Sequence, residues 1–112
     1  MTTMVDLVPV CRFADLQPER GVAALLPDGV QVAVFRTHDG TLHALSNVDP
    51  FSGAAVLSRG IVGDRGGTPV VVSPIYKQAF DLRTGRCLDD DAVSVAVFPA
   101  RVVDGMVLVG AP

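Results

Sequence analysis

The sequence predicts an all-β domain folded as a small antiparallel barrel or sandwich, and three observations carry that reading. Val, Ile and Thr recur in short runs, which suits a pleated, half-buried surface. No stretch places apolar residues at i, i+3, i+4 and i+7 over three turns, as an amphipathic helix would. Between the apolar runs stand Asp28-Gly29, Asp39-Gly40, Thr84-Gly85 and Asp104-Gly105, where Gly, and less readily Asp, accepts the positive φ of a tight hairpin.

Taken in order, the first strand is expected over Val5 to Cys11. The segment Asp15-Leu-Gln-Pro-Glu-Arg-Gly21 reads as a connector: Asp15 is a candidate N-cap for one helical turn, and Pro18 and Gly21 stop it from extending. Gly21 to Leu26 and Gln31 to Arg36 flank Asp28-Gly29, and Thr41 to Ser46 follows Asp39-Gly40, so these runs predict successive hairpins. From Asn47 to Ser58 the strand pattern lapses into a turn-rich loop, the kind of segment that usually carries function. Gly60 to Val62, Thr68 to Ser73 and Ala79 to Leu82 are the next strands, and Val93 to Phe98, Ala100 to Val103 and Met106 to Val109 complete the set. So many strands in a short chain fold best as a barrel or sandwich, which limits exposed edges.

Composition bounds the function. At 112 residues, 49% hydrophobic and 19% charged, the chain is expected to form one globular domain over residues 1–112. Nine Lys+Arg against twelve Asp+Glu give a net charge of -3, which argues against a nucleic-acid partner. Apolar runs such as Val22 to Leu26 fall far short of the roughly 20 residues a bilayer span needs. Met1 to Asp6 has neither a basic start nor an apolar core, so no secretory signal and no membrane partner are expected, and the expected location is cytoplasmic.

Cys11 and Cys87 lie far apart with no C-x-x-C spacing, and they read as buried thiols rather than metal ligands. His38 and His43 straddle the Asp39-Gly40 turn, but no cysteine or carboxylate triad accompanies them, so no metal site is expected there. Asp89-Asp90-Asp91 reads as a solvated acidic loop. There is no P-loop, no G-x-G-x-x-G and no Ser-His-Asp signature, and Glu19 is the only glutamate, so no catalytic residue is assigned.

Two loops carry a more specific signal. Asn47-Val-Asp-Pro-Phe-Ser-Gly-Ala54 and Ser73-Pro-Ile-Tyr-Lys-Gln-Ala-Phe-Asp-Leu-Arg-Thr-Gly-Arg-Cys87 resemble the paired cluster-binding loops of Rieske proteins. That family writes them N-x-C-P-H-x-G-A and C-P-x-H-G-x-x-F-D-x-x-T-G, each giving one Cys and one His to a [2Fe-2S] centre. The frame residues Asn47, Pro50, Gly53, Ala54, Pro74, Phe80, Asp81, Thr84 and Gly85 match. The ligand positions do not: Asp49 and Ser73 stand where the cysteines would be, and Phe51 and Tyr76 where the histidines would be. A ligand set without sulfur or imidazole makes a cluster chemically implausible. The resemblance implies a Rieske-like fold with an inserted two-loop subdomain over about residues 47–87.

The phrases Asp49-Pro-Phe-Ser-Gly53, Leu57-Ser-Arg-Gly-Ile-Val-Gly-Asp64 and Ser73-Pro-Ile-Tyr-Lys-Gln-Ala-Phe-Asp-Leu82 are similar to the small subunits of assimilatory NAD(P)H-dependent nitrite reductase, a Rieske-like family without a cluster. What this resemblance implies is a partner: a large subunit carrying FAD, siroheme and an iron-sulfur cluster, which reduces nitrite to ammonium. The chain itself would hold no cofactor and no metal. Two rivals remain beside it, a free-standing binding or regulatory module and a Rieske ferredoxin electron carrier, the second opposed by the missing ligands.

Site expectations follow from the loops. Asp49, ahead of Pro50 in a turn, is expected to cap its own loop through the carboxylate. Phe51 and Tyr76 are expected to fill the volume vacated by a cluster and clamp the loops together. Lys77, the only lysine, stands at a loop tip where Rieske members carry Gly. Arg59 and Asp64 flank the Gly60-Ile-Val-Gly63 insert and are expected to be solvated, with pairing to each other or contact with a partner as the alternatives. The candidate partner-binding residues are Phe51, Arg59, Tyr76, Lys77 and Gln78.

Overall fold

The computed structural model describes residues 7–110, which form ten strands and two short 3₁₀ turns. The strands are β1 (Val8–Arg12), β2 (Arg20–Leu25), β3 (Gln31–Arg36), β4 (Leu42–Ser46), β5 (Ile61–Arg65), β6 (Thr68–Val72), β7 (Ala79–Asp81), β8 (Val97–Phe98), β9 (Ala100–Val103) and β10 (Met106–Val109). They assemble into three sheets in the orders β2-β3-β4-β8, β1-β10-β9 and β5-β6-β7, with every pairing antiparallel. The all-β expectation is met.

β3 explains how the sheets stack. Val32, Ala33, Val34 and Phe35 are all buried, so the run is continuously apolar instead of alternating, as a strand covered on both faces must be. Side chains point alternately to opposite faces. Val32 and Val34 join a core with Leu16, Ala44, Phe98, Val107 and Val109, under the β1-β10-β9 sheet. Ala33 and Phe35 join the other core, with Leu45, Leu57, Val71, Phe80 and Leu82, under the β5-β6-β7 sheet. The four-stranded sheet is therefore the middle layer, and the two loops singled out above leave it and the β5-β6-β7 sheet on the same side.

Hairpin chemistry sets the registers. Asp104 and Gly105 both take positive φ, 51° and 79°, and Val103 pairs directly with Met106, the two-residue turn that matches the strand twist. Gly66-Gly67, a pair not singled out above, plays the same part between β5 and β6, with Arg65 opposite Thr68. Pro9 lacks the N–H its ladder would need, and the β1–β10 register shifts between Pro9 and Cys11.

Several boundaries differ from expectation for local reasons. The expected start of the first strand at Val5 lies outside the described residues. Asp15 does not cap a downstream turn; it closes the 3₁₀ turn Phe13–Asp15 and takes an ion pair from Arg12 at 3.0 Å. The insert near Gly60 is not a short strand from 60 to 62 but a 3₁₀ turn, Leu57–Arg59, followed by β5 running to Arg65. The expected strand from Val93 shrinks to Val97–Phe98, because Val95 donates to Gly85 O at 2.8 Å and Arg86 bridges to Ser94, so this segment follows the 81–86 loop.

Candidate functional site

The site is built from two loops of one geometry. In the first, Asp49 N donates to Ala54 O at 2.9 Å, Gly53 N donates to Asp49 O at 2.7 Å, and Phe51 N donates to the Asp49 carboxylate at 2.8 Å. In the second, Ser73 N donates to Gln78 O at 2.9 Å, Lys77 N to Ser73 O at 3.1 Å, and Ile75 N to Ser73 Oγ at 3.3 Å. Each loop closes five residues on, and each is turned by a left-handed residue at its fifth position, Gly53 (φ 76°) or Lys77 (φ 68°). A third loop repeats the pattern: Asp81 N to Arg86 O, Gly85 N to Asp81 O and Arg83 N to the Asp81 carboxylate, all at 2.8 Å. Burial opposes ionisation of Asp81, but the Arg83 side chain and backbone N–H outweigh it and hold the carboxyl below its usual range.

What joins the first two loops is a single buried contact. Ser73 Oγ donates to Asp49 Oδ2 at 2.5 Å, and neither residue has any exposed surface. Asp49 therefore caps its own loop with one carboxylate oxygen and reaches across to the second loop with the other. Behind them Asn47, also buried, accepts from Ser58 N at 2.7 Å, donates to Gln31 Oε1 at 3.3 Å and pins the first loop to β3.

The two aromatic substitutions part company. Phe51 is half-buried and packs on the inner core, its ring 6.2 Å from that of Phe80. Tyr76 is 59% exposed, so the expected two-ring clamp is not formed, and the Ser73–Asp49 bond stands in its place. The cause is position: Phe51 is the second residue after its loop's first, while Tyr76 is the third and lies at the outward apex. Ile75, the true counterpart of Phe51, is 42% exposed beside it, and Val48 is 40% exposed at the base of the first loop.

Lys77 is exposed, and its ammonium folds back on its own loop, donating to Pro74 O at 3.1 Å. A left-handed φ costs a non-glycine residue about 1 kcal/mol. Lys77→Gly is accordingly expected to be about 1 kcal/mol more stable than Lys77→Ala in urea titrations, a comparison in which both variants lose the same ammonium contact. Equal midpoints would show that the turn carries no strain.

The remaining candidates separate. Arg59 and Asp64 do not pair, since Asp64 Oδ2 accepts from Gly67 N at 3.1 Å within the β5–β6 turn. Gln78 is half-buried, and its Oε1 is enclosed without a hydrogen-bond partner. His38 and His43 line one pocket beside the Asp39-Gly40 turn: His38 lies 3.9 Å from Glu19, and His43 sits opposite Phe35, where burial pushes its pKa down. The acidic run is more than a solvated loop. Asp89 accepts from Ala79 N at 2.8 Å and from Arg65 at 3.0 Å, bonds that hold its pKa low and tie the 88–91 segment to the third sheet.

The four ligand positions do not fit a [2Fe-2S] cluster. The two that would supply thiolates are a carboxylate and a hydroxyl already bonded to each other, one imidazole position is a phenyl ring packed on Phe80, and the other is an exposed phenol. Cys11 lies on β1 and Cys87 is buried in the inner core, neither in these loops. Among the described residues no group of three or more His, Cys, Asp or Glu is arranged to hold a metal ion.

Comparison with known proteins converges on one family. The model of the Rieske-like [2Fe-2S] domain matches residues 6–110. The nitrite reductase (NADH) small subunit of Escherichia coli K12 is 46% identical over 99 residues, covering 88% of this chain and 91% of that one. A solved structure from Mycobacterium tuberculosis, assigned as an NADH-dependent nitrite reductase small subunit, superposes with a TM-score of 0.95 at 57% identity and covers 98% of both chains. The nitrite reductase [NAD(P)H] large subunit of Klebsiella oxytoca is 43% identical over 101 residues, 90% of this chain and 10% of that much longer one.

Proposed function

The chain belongs to the Rieske-like [2Fe-2S] domain family and, within it, to the nitrite reductase small subunits, and from that premise we propose that it is a non-catalytic accessory subunit supporting the large subunit by protein contact. The reaction served is the reduction of nitrite to ammonium with NAD(P)H. FAD, siroheme and an iron-sulfur cluster belong to the large subunit in this reading, and the small chain contributes no redox group. The observation that carries the partnership is the Klebsiella oxytoca match, in which a region like this chain forms about a tenth of a large-subunit polypeptide. A domain found both as a separate small subunit and within a large one is fitted to work against that large chain.

The face we assign to the contact is the tip of the two loops. Ile75 and Tyr76 stand out from a hydrogen-bonded loop, Phe51 packs on the inner core in the neighbouring loop, and Lys77 and Gln78 follow at the edge. An aromatic and aliphatic centre with a polar rim is the usual build of a protein interface. Arg59, exposed at the end of its 3₁₀ turn, lies at the start of the β5 edge and serves as a secondary candidate. The location we propose for the complex is cytoplasmic; among the described residues no helix is long and apolar enough to cross a membrane.

Affinity purification of this chain from cells co-expressing the large subunit tests the reading. Recovery of the large chain in fixed stoichiometry, with nitrite-dependent NAD(P)H oxidation in the eluate, is the expected result. Recovery of this chain alone at physiological salt would overturn it. The same chain expressed without its partner is expected to contain neither iron nor acid-labile sulfide after anaerobic desalting.

A further inference from the structure

We infer that the buried Asp49–Ser73 pair replaces, with one hydrogen bond, the cross-link that a bound cluster would make between the two loops, so that the tip holds its shape without metal. Three observations support the assignment. First, the pair occupies the two positions that would supply sulfur, and both side chains are fully buried, so the bond closes the space between the loops and does not decorate their surface. Second, each oxygen of the Asp49 carboxylate takes one donor: Oδ1 takes Phe51 N at 2.8 Å and Oδ2 takes Ser73 Oγ at 2.5 Å. A buried carboxylate that lost a donor would be left short of a partner, so the bond is costly to break.

The third observation comes from the 81–86 loop, which closes with the same backbone pattern although its first-position carboxylate, Asp81, bonds to Arg83 within the loop and not across to a second loop of this kind. The loop geometry thus forms from bonds within the loop. The cross-bond is a separate feature, found where two such loops must be held at a fixed distance. Asp49 and Ser73 are positioning residues in this assignment: they touch no partner, being fully buried, and act through the Ile75–Tyr76 apex. That last step rests on the docking reading above, whereas the clasp itself does not.

Amide hydrogen exchange on the isolated chain tests the clasp, with Asp49→Ala, Ser73→Ala and the double variant compared. The loop amides of Gly53 and Lys77, whose acceptors are backbone carbonyls that the variants keep, are expected to exchange at least tenfold faster in each single variant, those of β3 to stay within twofold, and the double variant to be no faster than the worse single. Ser73→Thr, which keeps the hydroxyl, is expected to protect both loops as the parent does, and it reports on the clasp even if an alanine variant fails to fold. Independent, additive effects of the two alanines, or loop exchange in Ser73→Ala equal to the parent, would overturn the clasp. Binding to the large subunit is measured in parallel, and Ser73→Ala is expected to weaken it at least threefold. Coupled exchange with unchanged affinity for every tip and clasp variant would uphold the clasp and overturn the docking reading.

Discussion

Gly85→Ala is expected to destabilise the domain by about 3 kcal/mol or more, the scale of the severe backbone substitutions. Two costs combine there. Gly85 has φ 79°, and a left-handed alanine costs about 1–2 kcal/mol. A Cβ at this position would also lie 2.1 Å from the Val95 carbonyl oxygen and 3.0 Å from Val97 Cγ2, so the 93–98 segment would have to withdraw. It cannot do so freely, because Val95 N donates to Gly85 O at 2.8 Å and Val95 packs into the inner core with Leu82 and Cys87. Gly29→Ala is the control: φ is 89°, but the Cβ would meet nothing within 4 Å. Chemical unfolding of the two variants separates steric overlap from backbone strain. Equal losses would mean that the 93–98 segment yields without cost.

The same residues show how far the sequence could be read. Turn chemistry was legible because it is local: Asp104-Gly105 needs only its own two φ angles, and the flanking strands followed to within a residue or two. β5 was cut short because its second half, Gly63-Asp-Arg65, carries no apolar alternation; it becomes a strand through pairing with Thr68 to Val70 across the Gly66-Gly67 turn. The Asp49–Ser73 bond joins residues 24 apart, and neither half pointed to the other: Asp49 had a sufficient local explanation as a turn cap, and Ser73 stood only as a replaced ligand position. Only their mutual distance reveals the clasp. Tyr76 misled for the opposite reason. Matching it to an imidazole position suggested that it inherits a buried place, whereas an offset of one residue relative to Phe51 turns it to solvent. In the acidic run, Asp89 differs from its neighbours by meeting Ala79 N and Arg65, contacts that a count of like charges could not distinguish from solvation.

The exposed apex is where the largest effect on assembly is expected. Ile75→Ala with Tyr76→Ala should weaken binding to the large subunit by about 2 kcal/mol, roughly thirtyfold, since a tyrosine at an interface centre commonly carries that much. The melting temperature of the free chain should stay nearly unchanged, because Tyr76 is 59% and Ile75 42% exposed before any partner arrives, and neither belongs to the two cores. Phe51→Ala is the contrasting variant. Its ring packs on Phe80 and the inner core, so truncation should cost the free chain about 2 kcal/mol whatever it does to binding. Lys77→Glu reverses the only lysine and should weaken binding by a smaller, salt-dependent amount, because its ammonium is satisfied within the loop by Pro74 O and is exposed to screening ions. Titration of the large subunit with each variant at two salt concentrations, beside thermal melts of the free chains, gives all three comparisons. A double apex variant that binds as the parent does would remove the contact from the loop tip and shift it to the β5 edge that begins beyond Arg59, where Ile61 is 71% exposed.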